Sequence, residues 1–247
     1  MQTLEQMEEQ RIDLSDPKER LIVALDFPSA APARELLQTL DGACRWVKIG
    51  MELYYAEGNL FLAELHSADY KVFLDLKLHD IPNTVASAIR ALAGRGASLL
   101  NVHASGGPVM LAGAAEASKA PGSPKLLAVT TLTSMDAAQL AAVGVPDLPK
   151  QQVLRLARLA YAAGVRGLVC SAEETESLRA EFGDDLELVV PGIRPSGSAV
   201  NDQKRIATPG DAIRRGASRL VVGRPITRSS DPKTTVASIL EEIAAAI

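Results

Sequence analysis

Eight short β-rich runs alternate with helical periodicities, no linker or composition break divides them, and polar side chains gather where the runs end. These observations predict an α/β chain folded as a single (β/α)8 TIM barrel with a short N-terminal extension. Residues 1–20 form the arm and residues 21–247 the barrel, expected to be the catalytic domain. The runs cover 21–26, 45–50, 70–75, 98–103, 125–131, 167–171, 186–190 and 219–223. Most are nearly continuous in Val, Ile, Leu and Ala, as expected of parallel strands buried on both faces.

Taken in order, the arm MQTLEQMEEQRIDLSDPKER is acidic and polar, reading as a short amphipathic helix or a frayed segment. It lacks the apolar stretch of a secretory signal. The first run ends in Asp26, Phe27 and Pro28, with no GxGxxG after it, which counts against an open dinucleotide-binding sheet. Between later runs, Val85, Ala88, Ile89 and Leu92 fall at helical spacing, as do Val153, Leu156, Ala157 and Ala160. Val236, Ile239, Leu240 and Ile243 repeat it near the end, after Asp231 and Pro232, a cap and first turn.

Composition narrows the function. Of 247 residues, 47% are hydrophobic and only 4% aromatic, so the core must be aliphatic. A net charge of −4 argues against a general electrostatic grip on nucleic acid or anionic lipid; an anion would need a local pocket. No apolar run approaches the ~20 residues that span a bilayer. Cys44 and Cys170 lack CxxC spacing and read as reduced core thiols of a cytoplasmic protein, without disulfide or zinc. His66, His79 and His103 lack metal-ligand spacing, so no metal is expected, and structural roles are assigned to all three. His79 is expected to point away from its charged neighbours, and His66 to be exposed.

The stretch LDLKLHDIPNT (74–84) brings Asp75, Lys77 and Asp80 to the end of the third run. Residues two apart on a strand share a face, so Asp75 and Lys77 should point together into the barrel mouth. Lys48 ends the neighbouring second run and Asp26 the first, predicting an alternating array of ammonium and carboxylate groups. Flanking carboxylates favour a charged lysine. Such a lysine donates a proton; a Schiff-base nucleophile would have to be neutral. The alternative is a salt-bridge network that merely closes the barrel.

The loops after the seventh and eighth strands are the usual phosphate site of this fold. Here they read VPGIRPSG (190–197) and VGRP (222–225). Gly192 and Gly223 would let backbone N–H groups approach an anion, Arg224 would add a bidentate charge, and Gln203 could reach over as a lid contact. The small residues of 196–201 suit a closing gate.

The motifs ALDFP (24–28), VKIG (47–50), DLKLHDIPNTV (75–85), VTTLTSM (129–135), PGIRP (191–195), NDQKR (201–205) and VGRPIT (222–227) occur in one order on the expected loops. Together they resemble the orotidine 5′-phosphate decarboxylase family over residues 21 to about 227. The resemblance implies conversion of orotidine 5′-phosphate to UMP and CO2 in pyrimidine synthesis, with no metal or organic cofactor. It implies that Lys77 protonates C6, that Asp75 sits beside the substrate carboxylate, and that Lys48 and Asp80 complete the array. It further implies a homodimer in which Asp80 and Thr84 reach the partner's site. Asp26 and Lys48 would hold the ribose, Thr133 and Ser134 the pyrimidine. Pro191, Arg194, Gln203, Gly223 and Arg224 would surround the phosphate and its closing loop. The arm is longer than the family pattern, and Asn201 stands where glycine is common. Two rivals share parts of the pattern: a Mg²⁺-dependent sugar-phosphate enzyme with the same DxKxxD motif, and a non-catalytic nucleotide sensor.

Overall fold

The computed structural model describes residues 13–195 and 207–247. Eight parallel strands close in sequential order, β1 pairing with β8: β1 Leu21–Ala24, β2 Trp46–Gly50, β3 Lys71–Leu78, β4 Ala97–His103, β5 Lys125–Val129, β6 Gly167–Val169, β7 Glu187–Val190 and β8 Arg219–Val222. Before β1 lies α1 (Pro17–Arg20). The layer outside the strands comprises α2 Ala30–Leu40, α3 Met51–Ser67, α4 Pro82–Ala91, α5 Gly107–Ala117, α6 Ala137–Ala142, α7 Pro149–Ala162, α8 Thr175–Phe182, α9 Pro209–Arg214, α10 Arg224–Thr227 and α11 Pro232–Ala244. The predicted barrel is therefore the observed one.

Helix ends follow local chemistry. Pro232 opens α11, and the Asp231 carboxylate accepts the Thr234 N–H at 3.0 Å, the cap expected from the sequence. In α7 the predicted stripe of Val153, Leu156, Ala157 and Ala160 is buried. Two apolar layers result. Side chains pointing out of the barrel meet the helices, while Ile22, Ala24, Trp46, Phe73, Leu99, Leu127, Val189 and Val221 pack against one another inside it.

Several strands end earlier than predicted: β1 stops at Ala24 and β5 at Val129. Strand β3 instead runs three residues further, to Leu78, for a reason found in the site below.

At the opposite end of the barrel, α1 supplies a buried ionic seal. The Glu19 carboxylate accepts hydrogen bonds from Arg45 at 2.7 Å, the Trp46 indole at 2.7 Å and Lys71 at 3.0 Å. Arg219, 1% exposed, lies 4.0 Å over the Trp46 ring and also pairs with Glu187. Burial alone would raise the Glu19 pKa, but these donors win and lower it to about 2. Removing one member of such a network strands the others, at about 3 kcal/mol. We expect Glu19→Gln to lower Tm by roughly 6–12 °C at neutral pH. A carboxylate with a depressed pKa stabilises the fold above its ordinary value of 4.5 and loses that contribution as pH falls toward about 2. The gap between variant and wild type should therefore close on acidification in thermal scans.

Candidate active site

Strand alternation carries the apolar interior into a charged mouth. On β2, Lys48 follows Trp46 by two residues; on β3, Asp75 follows Phe73; on β4, Asn101 and His103 follow Leu99. Asp26 follows Ala24 just beyond β1. Each strand thus changes from filling the barrel to presenting chemistry within one inward step.

These residues form one chain of contacts. Lys48 Nζ lies 2.8 Å from Asp26 Oδ1 and 3.3 Å from Asp75 Oδ2, and Lys77 Nζ lies 2.6 Å from Asp75 Oδ1. Burial would lower the pKa of Lys48, but the carboxylates of Asp75 and Asp26 outweigh it and raise the value. Burial would likewise raise Asp75, yet Lys48 and Lys77, with hydrogen bonds from Lys77 and Asn101, hold it below the usual carboxylate range. Lys48 and Asp75 are thus held as an ion pair at the centre of the array. A cavity of about 220 Å³ opens onto it, lined by Asp26, Lys48, Asp75 and Lys77 with Gly50 and Met51. A side chain at Gly50 would meet Lys48 Nζ at 3.2 Å and Asp26 Oδ1 at 3.4 Å, so the glycine of VKIG keeps room for this pair.

Lys77 does not reach its place by plain alternation. Its φ is +51°, in the left-handed region that a side chain rarely adopts. Leu74 pairs with Leu100 and Leu78 with Val102, so Asp75, Leu76 and Lys77 stand opposite Asn101 alone. This excursion is why β3 extends beyond its predicted end, and it corrects the simple two-residue argument. Asn101, which sequence reasoning missed, is 1% exposed and fills the gap. Its Oδ1 accepts the Lys77 backbone N–H at 2.7 Å, and its Nδ2 donates to Asp75 Oδ1 at 2.6 Å. The signal was available: Leu99, Asn101 and His103 are spaced by two, and the amide interrupts an apolar run.

Asp80 is not part of the array within this chain. It is exposed, and its Oδ1 accepts the adjacent Ile81 N–H at 2.6 Å. Thr84 is exposed on the first turn of α4. His79 and His103 face each other with ring centroids 5.5 Å apart. Burial first, then the proximity of His79 and Lys77, lower the His103 pKa below the ordinary histidine value. His66 is exposed, as expected.

A second cavity of about 590 Å³ lies at the ends of β7 and β8, lined by Arg194, Pro195, Arg224, Pro225, Arg228 and neighbouring Ser and Thr residues. The two predicted anion-binding arginines therefore share one pocket. Arg194 is buried, with Nη1 donating to the Ile193 carbonyl at 2.9 Å. Pro191 and Gly192 form the exit from β7, Gly192 with a φ of +82° that disfavours any other residue. Gly223 precedes α10. Thr133 is half-buried and Ser134 exposed in the turn between β5 and α6. Nearby, the buried Thr131 hydroxyl has no hydrogen-bond partner among the described residues. Gln203, the NDQKR motif and the 196–201 gate lie outside the described residues.

Comparison with known proteins agrees with the barrel fold. The profile of the orotidine 5′-phosphate decarboxylase / HUMPS family matches residues 19–239. Orotidine 5′-phosphate decarboxylase from Halorhodospira halophila is 52% identical over 228 residues, covering 92% of this chain and 97% of that protein. The protein of the same name from Afipia carboxidovorans is 52% identical over 236 residues, covering 94% and 97%. The crystal structure of orotidine 5′-phosphate decarboxylase from Lactobacillus acidophilus superposes with a TM-score of 0.81 at 40% identity, over 91% of this chain and 99% of that one. On its sequence, its barrel and these relatives, the chain belongs to the orotidine 5′-phosphate decarboxylase / HUMPS family.

Proposed function

We propose that this chain decarboxylates orotidine 5′-phosphate to UMP and CO2 in pyrimidine biosynthesis, without metal or organic cofactor, and that Lys77 protonates C6. The observation that carries this reading is the continuous Asp26–Lys48–Asp75–Lys77 array at the barrel mouth. When the bond between C6 and the carboxyl carbon breaks, its electron pair remains at C6 and CO2 leaves. A fixed ammonium group beside that carbon stabilises the developing charge in a confined site. The Lys77 proton then forms the new C6–H bond, and the neutral amine regains a proton from solvent. Asp75, beside the substrate carboxylate, repels it in the ground state; the repulsion vanishes as CO2 becomes neutral.

Asp26 and Lys48 suit the ribose hydroxyls, and Thr133 with Ser134 the pyrimidine. The two-arginine pocket suits the phosphate, with Pro191 and Gly223 at its strand exits and Gln203 assigned to its closing loop. Binding energy gathered there, away from C6, can hold the ring against Lys77. Losing a charge-paired contact of this kind costs about 2–5 kcal/mol. Arg224→Ala should therefore lower kcat/KM by roughly 30-fold to several thousand-fold. Unchanged turnover of the phosphorylated substrate would remove the gripping role.

A homodimer in which Asp80 and Thr84 complete the partner's site accounts for two exposed polar residues near the array. Exposed Ile81 stands beside them, and exposed Val109 lies on α5, which packs on α4 near Pro82. Nucleic acid and membrane are not among the proposed partners; no described helix is long and apolar enough to cross a bilayer. Two buried, unpaired cysteines support a cytoplasmic location.

The direct test is CO2 release from orotidine 5′-phosphate by the purified chain, with and without EDTA. Equal amounts of UMP and CO2, unaffected by chelation, are expected. Turnover of a sugar phosphate that EDTA abolishes, with no CO2 from the nucleotide, would favour the Mg²⁺-dependent rival.

A further inference from the structure

We infer that Asn101 is a positioning residue for Lys77, a single amide on β4 that holds the acid and its carboxylate at a fixed separation. The inference deepens the reading of Lys77 as proton donor and rests on it. Three residues of β3 stand opposite Asn101, so their backbone lacks the regular ladder with β4 at this point. The Asn101 side chain replaces it, accepting from the Lys77 N–H at 2.7 Å and donating to Asp75 Oδ1 at 2.6 Å. Both bonds fix the amide orientation, because the flipped amide would set N–H against N–H and oxygen against carboxylate.

Two consequences follow for the acid. The left-handed backbone of Lys77, φ +51°, is conformationally costly and persists because its surroundings over-determine it. Asp75 Oδ1 is occupied at once by Lys77 Nζ and Asn101 Nδ2, so the carboxylate cannot rotate to follow Lys48 alone. Asn101 need not touch the substrate to act; it sets the direction in which the ammonium group points. Small displacements of a reacting group, near 1 Å, can cost about 10²-fold in rate.

The groups facing Asp75 are Lys48 from β2, Lys77 from its own strand, and Asn101 and His103 from β4, with Asp26 across Lys48. Without the Asn101 hydrogen bond, the Asp75 carboxyl should titrate at a higher pH. Asn101→Leu keeps the volume and removes both bonds. Asn101→Asp keeps an acceptor for the Lys77 N–H but sets a second carboxylate against Asp75. The test measures kcat, UMP affinity and Tm for both variants, with the Asp75 carboxyl titration followed by ¹³C NMR. We expect kcat to fall about 10²-fold, UMP affinity to stay within about threefold, and the titration to move to higher pH. Wild-type kcat in either variant, or parallel loss of kcat, UMP affinity and Tm in both, would overturn the positioning role. A wild-type chain that releases no CO2 would instead sink the functional reading, whereas an unmoved Asp75 titration beside normal wild-type turnover would sink only the clamp.

Discussion

Lys77→Ala should reduce CO2 release from orotidine 5′-phosphate about 10⁴-fold or more while UMP binding changes little. Two contributions vanish together. A positioned general acid is worth about 10²–10⁴ in rate, and a fixed charge aimed at developing charge about 10²–10³. The two-arginine pocket proposed for the phosphate is separate from the array, so product affinity should persist. Lys77 is also only partly buried, its side chain 28% exposed, so its truncation leaves a smaller hole than a core deletion would. Single-turnover measurements with saturating substrate isolate the chemical step. Near-native turnover in the alanine variant would remove Lys77 from the role of acid.

Asp75→Asn should produce the next largest loss, about 10³-fold in kcat, with substrate binding no weaker than before. Asp75 serves both lysines, at 2.6 Å to Lys77 and 3.3 Å to Lys48. A neutral amide would leave two ammonium groups sharing one fewer counterion, and Lys77 would lose the contact that aims it. The electrostatic loss and the misplacement together account for the expected magnitude. The substrate carboxylate would meet less repulsion, so KM should stay level or fall while kcat drops, the pattern of removed ground-state strain. The sign with pH agrees. The Asp75 pKa is depressed in the folded protein, so wild type should keep its array, and that part of its stability, until pH falls well below the usual carboxylate value. An increase in KM matching the fall in kcat would contradict this role.

Much of the barrel and its mouth was legible in the sequence because both obey one periodicity. Parallel strands buried on both faces read as apolar runs, and the first polar residue at the end of each marks the rim: Asp26, Lys48 and Asp75 were found this way. Lys77 was placed in the right company through the wrong geometry. Alternation predicts that it shares a face with Asp75; the structure brings them together through a three-residue excursion and a left-handed backbone that no pattern of residue types announces. A lone amide within an apolar run carries no charge, so residue type alone does not mark Asn101 as the group that satisfies the excursion's backbone. Asp80 could not be placed by alternation, because it lies past the strand, in the turn before Pro82 opens α4. No local sequence pattern marks the ionic seal around Glu19. Its members, Glu19, Arg45, Trp46, Lys71 and Arg219, are far apart in sequence and meet only when the barrel closes.

Chemical restoration of the amine tests the central claim most directly. Lys77→Cys can be alkylated with 2-bromoethylamine, which rebuilds a lysine-like ammonium, or with iodoacetamide, which adds a neutral group. The native cysteines are poor competitors, being buried with thiols pushed above their ordinary pKa, Cys44 to about 11. The amine-capped protein is predicted to recover CO2 release by about 10²-fold or more over the unmodified variant, and the amide-capped protein to recover none. Equal recovery with both caps, or none with the amine, would contradict the claim that a charge and proton held against Asp75 drive the reaction.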